Sequence, residues 1–232
     1  MSEINWTAIL PSYEEMLMAG MHYGRKKTVK HPKMDGFIYG LKDAIHLINI
    51  FKTEEELKKT IEFLKRTKES GGMILWAALT KHSEAKIVEI ADLYSMPYIK
   101  NRWIGGTLTN FKTMQGRIKH HKDMEEKWAD PGFMEKLTKK QKHEMEKELR
   151  LLREKFQGLD RMTKLPDAVF LSSMRQGGLP AREAKRLGIK VVAICNTESD
   201  PDAIDYAIPA NDNAKQSVEL ILEAIKKGLI NE

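Results

Sequence analysis

The sequence is sparing in the residues that mark several protein classes. Its 232 residues include one cysteine, Cys195. A lone thiol excludes an intramolecular disulfide framework and every zinc site built on two or more thiolates. It fits a reducing, cytoplasmic compartment. The longest uncharged stretches fall well short of the ~18 residues that span a bilayer. Residues Met1 to Trp6 lack the basic and apolar regions of a signal peptide. No membrane partner is therefore expected. Charge of one sign is also scarce: 39 Lys and Arg against 33 Asp and Glu leave a formal charge of only +6. Such an excess points to an anionic partner without naming it.

The frames of catalysis are missing too. The glycine pairs Gly71-Gly72, Gly105-Gly106 and Gly177-Gly178 stand in neither a dinucleotide-binding nor a P-loop frame. Gly71-Gly72 precedes its strand, the wrong side for a phosphate loop. Ser172 and Ser173 follow a strand without a nucleophile elbow around them. Cys195 ends a buried strand and reads as an inert core thiol. Asp200, Asp202, Asp205 and Asp212 could ligate a hard cation, but caps and turns explain the same residues. His46 and His82 read as structural or solvent-facing, and His120, His121 and His143 as parts of a solvated face. No metal and no cofactor is expected.

What the chain does contain is a rhythm of alternating elements. Ser12 and Glu15 form a capping box that opens a short helix, which Gly20 stops. Phe37 to Tyr39 and Ala44 to Ile50 read as short strands. Thr53-Glu54-Glu55-Glu56 reads as a second capping box, opening a helix to about Glu69 with Leu57, Ile61 and Leu64 on one face. Met73 to Ala78 is a continuously apolar run, as in a parallel strand covered on both faces. A helix over 83–94, a strand from Met96, and later strands at 168–171, 191–195 and 203–208 follow, with helices at 180–187 and 214–227. Such alternation predicts an α/β parallel sheet with helices on both faces.

Residues 110–160 break the rhythm. Phe111, Met114 and Ile118, then Met134, Leu137, Gln141, Met145, Leu149, Leu152 and Phe156, recur every three or four residues around the turn Asp130-Pro131-Gly132. This predicts an inserted antiparallel coiled-coil helical hairpin and a discontinuous sheet domain over 1–109 and 161–232. From Lys112 to Lys155 there are 13 Lys or Arg and nine Asp or Glu, so the hairpin holds +4 of the total.

The second basic concentration is the loop from His22 to Lys33. Arg25, Lys26, Lys27, Lys30 and Lys33 stand there with no acid among them. Such a loop can track a phosphate backbone, although charge alone reads equally well as a solvated surface. The stretch from Asn101 to Lys112 is more informative. Arg102 offers a bidentate phosphate fork. Gly105 and Gly106 let backbone amides approach a ligand. Thr107, Thr109 and Asn110 add neutral donors, and Trp103 and Phe111 supply anchors.

Arg102-Trp103-Ile104-Gly105-Gly106-Thr107-Leu108-Thr109-Asn110-Phe111 closely resembles a signature of the bacterial small-ribosomal-subunit protein two family. Ala19 to Gly24, His31 to Met34 with Ile38 to Gly40, His46 to Asn49, Leu165 to Phe170, Glu183 to Ile189, Asn196 to Asp205 and Ile208 to Asp212 match further motifs of that family, in order. The resemblance implies a flavodoxin-like fold and a non-enzymatic role in the ribosome. It implies 16S ribosomal RNA and other small-subunit proteins as partners, with ribosomal protein one where a bacterium has it, and no homo-oligomer. Arg25, Lys26, Lys27, Lys30, Lys33 and Arg102 are then the expected RNA contacts. Lys112, Arg117 and Lys119 on the hairpin form a second set. Trp103, Gly105, Gly106, Thr109, Asn110 and Phe111 are expected to shape the hairpin base.

Two departures from the family pattern stand out. Arg25 occupies a position where a second His is frequent, which weakens a metal site made by His22 with Asp200 or Asp202. The loop from Ser172 to Gly178 replaces an acidic, His-containing one, making Arg175 a further candidate contact. Two other classes fit the same layer order and hairpin: a nucleotide- or metal-dependent enzyme on the same fold, and a free adaptor using the hairpin as its partner surface.

Overall fold

Five short apolar segments build the centre of the protein. In the computed structural model, which describes residues 5–100 and 102–230, they are β4 (Ile74–Ala78), β5 (Tyr98–Lys100), β6 (Ala168–Leu171), β7 (Lys190–Cys195) and β8 (Tyr206–Pro209). All pair in parallel, in the order β5-β4-β6-β7-β8. The first strand of the sheet thus lies between its second and third, as in flavodoxin-like proteins.

Alternation along the strands assigns the two faces. Ile74, Trp76, Ala78, Phe170, Val192 and Ile194 point to one core. There they meet α3 (Ile50–Glu69), α4 (Glu84–Leu93) and α9 (Lys215–Leu229). Leu75, Ala77, Val169, Leu171, Val191 and Ala193 point to the other. That face is covered by α8 (Gly178–Arg186) and by the base of a helical insertion between β5 and β6. Both faces being covered, every residue of β4 and β6 is buried, as their unbroken apolar runs require.

Two short helices, α1 (Trp6–Ile9) and α2 (Tyr13–Met18), lead in, and the Ser12–Glu15 capping box is present. A three-stranded antiparallel sheet follows, with β3 (Ile45–Ile48) between β1 (Tyr23–Lys26) and β2 (Ile38–Lys42). The basic loop is therefore partly a strand, formed by pairing with β3. Helix α3 also starts earlier than its acidic run suggests. Asn49 is the N-cap and accepts from Phe51 N at 3.0 Å. Thr53 is fully buried, and its hydroxyl donates to Pro209 O at 2.6 Å. It joins α3 to β8 instead of capping.

The insertion comprises α5 (Phe111–Ala129), α6 (Pro131–Glu135) and α7 (Lys139–Phe156). Met114, Ile118, His121 and Met124 of α5 are buried, with Leu149 and Phe156 of α7. Arg153 Nε and Nη2 donate to Glu125 at 2.5 and 2.6 Å across the pair. Gln141, placed in the apolar seam by its spacing, is exposed and completes a capping box with Thr138 at the start of α7. His121 is not on a solvated face. It is 1% exposed, with Nδ1 3.0 Å from Asp160 and Nε2 3.4 Å from Glu125. It sits at i+3 from Ile118, on the buried stripe, where only partners can offset the cost of a polar ring.

Gly158 closes the insertion against the sheet. A methyl group there would be driven into the carbonyl and ring of Tyr98 in β5. Gly158→Ala is expected to destabilise the protein by about 1–3 kcal/mol, measured as a lower urea midpoint. An unchanged midpoint would show that the backbone can part there freely.

Candidate nucleic-acid interface

In open α/β sheets, ligands bind beyond the carboxyl ends of the strands, where the strand order switches direction. Here that place lies between β4 and β6. It is filled by the protein itself. Ser172 Oγ accepts from Leu79 N at 2.9 Å, bridging the ends of the two strands. Ser173 Oγ donates to Asp212 Oδ2 at 2.6 Å, and Asn196 Nδ2 to Oδ1 at 3.0 Å. Asp212 is fully buried. Arg25 reaches it from β1, Nη2 lying 3.1 Å from Asp212 Oδ1 and 2.9 Å from Glu198 Oε1. Arg25 N donates to Thr197 Oγ1 at 2.9 Å, and His31 N to Thr197 O at 2.8 Å. The amino-terminal sheet thus covers the carboxyl end of the sheet, and the Arg25 guanidinium lies among the residues that follow β7 and β8.

Arg25, expected among the RNA contacts, pairs here with the carboxylates of Asp212 and Glu198. Lys30 pairs with Asp35, and Lys33 with Asp202. Both are solvent-accessible pairs, worth little individually and open to exchange. Lys26 and Lys27 are exposed and make no ion pair among the described residues. Asp200 caps a short turn by accepting from Asp202 N at 3.1 Å, and Asp205 accepts from Lys190 and from Val191 N. His22 packs on Tyr23, with ring centroids 4.0 Å apart, and burial followed by the charge of Lys42 lowers its pKa. Among the described residues no three metal-ligating side chains converge. The Cys195 thiol is buried, and burial pushes its pKa far up, which makes it inert.

The second basic element is the corner between β5 and α5. Its organiser is Glu183 of α8, 6% exposed. One carboxylate oxygen accepts from Trp103 Nε1 at 3.2 Å and Gly106 N at 2.8 Å. The other accepts from Leu108 N at 3.0 Å and from Thr109 N and Oγ1, each at 3.3 Å. Burial alone would raise the pKa of Glu183; the donors from Gly106, Leu108, Trp103 and Thr109 outweigh it and hold the group below the ordinary glutamate value. Gly106 adopts φ +86°, the left-handed conformation the turn needs. Trp103 is buried, and Phe111 packs half-buried on the core that contains Leu75 and Val169. Asn110 accepts from Met114 N through its carbonyl, while its side chain makes no cap bond. Asn101 lies outside the described residues.

The corner aims its cations outward. Arg102, Lys112, Arg117 and Lys119 are exposed and without ion pairs among the described residues. Lys112 and Lys119, two turns apart on α5, share the face opposite Met114 and Ile118, and Arg117 stands on the flank. Arg102 and the capped crevice sit at the same ends of the sheet strands. Three strand spacings separate β5 from β7, roughly 14 Å at ~4.8 Å each. Arg175 is exposed too, 3.7 Å from Glu198.

The sequence offers Asp212 only as a cation ligand or turn residue and Glu183 only as part of a motif; neither role in the structure follows from that. Glu183 left one signal: with Pro180 and Ala184 it occupies the i, i+3, i+4 face of α8, where an apolar residue is expected. Asp212 stands out as an acid, but the cation it meets is Arg25, 187 residues away, and nothing in the sequence links the two.

The protein's own side chains thus fill the carboxyl ends of the strands, while Arg102, Lys112, Arg117 and Lys119 turn to solvent. The profile of the family described as ribosomal protein S2 matches residues 16–231. The chain is 38% identical over 212 residues to the small ribosomal subunit protein uS2 of Thermus thermophilus, covering 90% of this chain and 81% of that protein. It is 36% identical to the uS2 protein of Fusobacterium nucleatum, covering 94% and 89%, and 34% identical to that of Jannaschia sp., covering 95% and 79%. The chain belongs to the ribosomal protein S2 family, which is structural and non-enzymatic. Among the described residues no helix is long and apolar enough to cross a membrane.

Proposed function

We propose that this protein is a constituent of the small ribosomal subunit that binds 16S ribosomal RNA through Lys26, Lys27, Arg102, Lys112, Arg117 and Lys119. Lys30 and Lys33 contribute after exchanging their surface carboxylates for phosphates. Neighbouring small-subunit proteins are its other partners. Residues 110–160 act as a helical arm on the sheet domain. The observation that carries this reading is the corner held by Glu183. A buried carboxylate fixes a loop whose two flanks, Arg102 and Lys112, project unpaired cations into solvent. Such contacts position a protein on RNA by its backbone and shape.

Co-sedimentation with 30S particles across a salt gradient tests it. The protein is expected to travel with particles at physiological salt and to dissociate as salt rises. Absence from particles at physiological salt would overturn the reading. Replacing both Lys26 and Lys27 with Ala is expected to weaken RNA binding. It should also reduce the slope of log affinity against log salt by about 1–2. Stability should stay within about 0.5 kcal/mol, since neither side chain is packed or paired.

A further inference from the structure

Beside the Glu183 corner lies a half-open groove of about 370 Å³, lined by Lys100, Arg102, Trp103, Ile104, Gly105, Glu154 and Lys155. Its volume falls at the lower end of the ~300–1,000 Å³ range of small-ligand sites. Its chemistry is divided. Trp103, Ile104 and Gly105 give an apolar floor, and the indole is fixed because Nε1 donates to Glu183. Arg102 and Lys155 stand at the rim, exposed and without ion pairs among the described residues. Among the described residues Lys100 is tied only by a long 3.5 Å bond to Gln157, weak at that distance. Glu154 is an exposed carboxylate on the same rim, also without a partner among the described residues.

The geometry points to a seat for one unstacked nucleotide of the RNA. An apolar floor suits the face of a base, and cations spaced around it suit the flanking phosphates. Glu154 accepts hydrogen bonds only, so it favours bases with an exocyclic amine over uracil. The helical arm contributes Glu154 and Lys155, and β5 with its following loop contributes the rest. The seat therefore exists only where arm and sheet meet. It rests on the proposed RNA binding and adds the place where a base, not only backbone, is held.

The test uses the full chain and a 16S rRNA transcript in filter binding at several KCl concentrations. Gly105→Leu adds bulk at a residue that lines the groove, without removing charge. A Cβ added at Gly105 meets only Leu179 Cδ2, at the ordinary contact distance of 3.8 Å, so the first carbon of the new side chain is accommodated. Affinity is expected to fall at least tenfold with an unchanged salt slope. Lys155→Gln touches no packed atom and is expected to lower the slope by about 0.7–0.9; it decides the matter if Gly105→Leu does not fold. As competitors, CMP and AMP should displace the transcript better than UMP, and inorganic phosphate or polyglutamate should not match them. Wild-type binding with both variants within twofold of it would overturn the seat and leave RNA binding standing. Competition by phosphate or polyglutamate equal to CMP would overturn the base-holding role. Failure of the wild type to bind the transcript would overturn both the proposed function and this inference.

Discussion

Glu183→Ala is expected to be among the most damaging single substitutions in the chain. Its carboxylate receives hydrogen bonds from Trp103 Nε1 and from the amides of Gly106, Leu108 and Thr109. Alanine leaves those donors without an acceptor in a buried corner. Each orphaned buried donor costs about 1–3 kcal/mol, and partial entry of water relieves some of that. A net loss of about 4 kcal/mol follows, which corresponds to roughly 10 °C in melting temperature for a chain of this size. Glu183→Gln keeps the shape but turns an amide NH2, itself a donor, towards the donors on one side, and should cost about half as much. The pH dependence has a definite sign. The folded-state pKa is depressed, so this stabilisation is complete above the unfolded value of about 4.3. It is lost as pH falls through the folded value. The glutamine variant should lack that part of the acid limb. Urea denaturation between pH 3 and pH 7 measures both effects. A Glu183→Ala melt within 1 °C of wild type would show that the corner stands without its carboxylate.

The second large effect is expected at Arg25. Arg25→Met leaves Asp212 fully buried with only Ser173 Oγ and Asn196 Nδ2 to offset its charge. Breaking a buried pair from one side typically costs about 3–5 kcal/mol. The double variant Arg25→Met with Asp212→Asn should recover part of that loss, and the difference measures the coupling. Lys26→Met, one residue along, should stay within about 0.5 kcal/mol. If Arg25→Met instead spared stability and reduced only RNA affinity, Arg25 would be an RNA contact after all.

These two residues also show where sequence reasoning stopped. The central strands were plain, because a strand covered on both faces must be apolar throughout, and Ile74 to Ala78 and Val191 to Cys195 are. The spacing of Leu57, Ile61 and Leu64 marks the helix over 50–69, but its cap, Asn49, lies four residues before Thr53. Thr53 carries the chemistry of a cap and uses it on β8. Strand β1 was read as loop because Tyr-Gly-Arg-Lys has no strand pattern of its own. Its conformation comes from pairing with β3, a tertiary effect. The basic residues of the site were legible as charge. Which of them face solvent was not, since that depends on carboxylates far along the chain. Arg25 and Lys26 are adjacent and have opposite fates.

The cap over the crevice has a consequence for the order of events during synthesis. Arg25 emerges early, while its partner Asp212 lies 187 residues later. At a translation rate of roughly 5–20 residues per second, the two are separated by about 10–40 s. The amino-terminal sheet can pair its own strands in that interval, but it has nothing to dock against until β7 and β8 exist. Its basic face is then tethered to an unfinished protein and unneutralised at Arg25. The last strands both complete the sheet and withdraw that charge from solution.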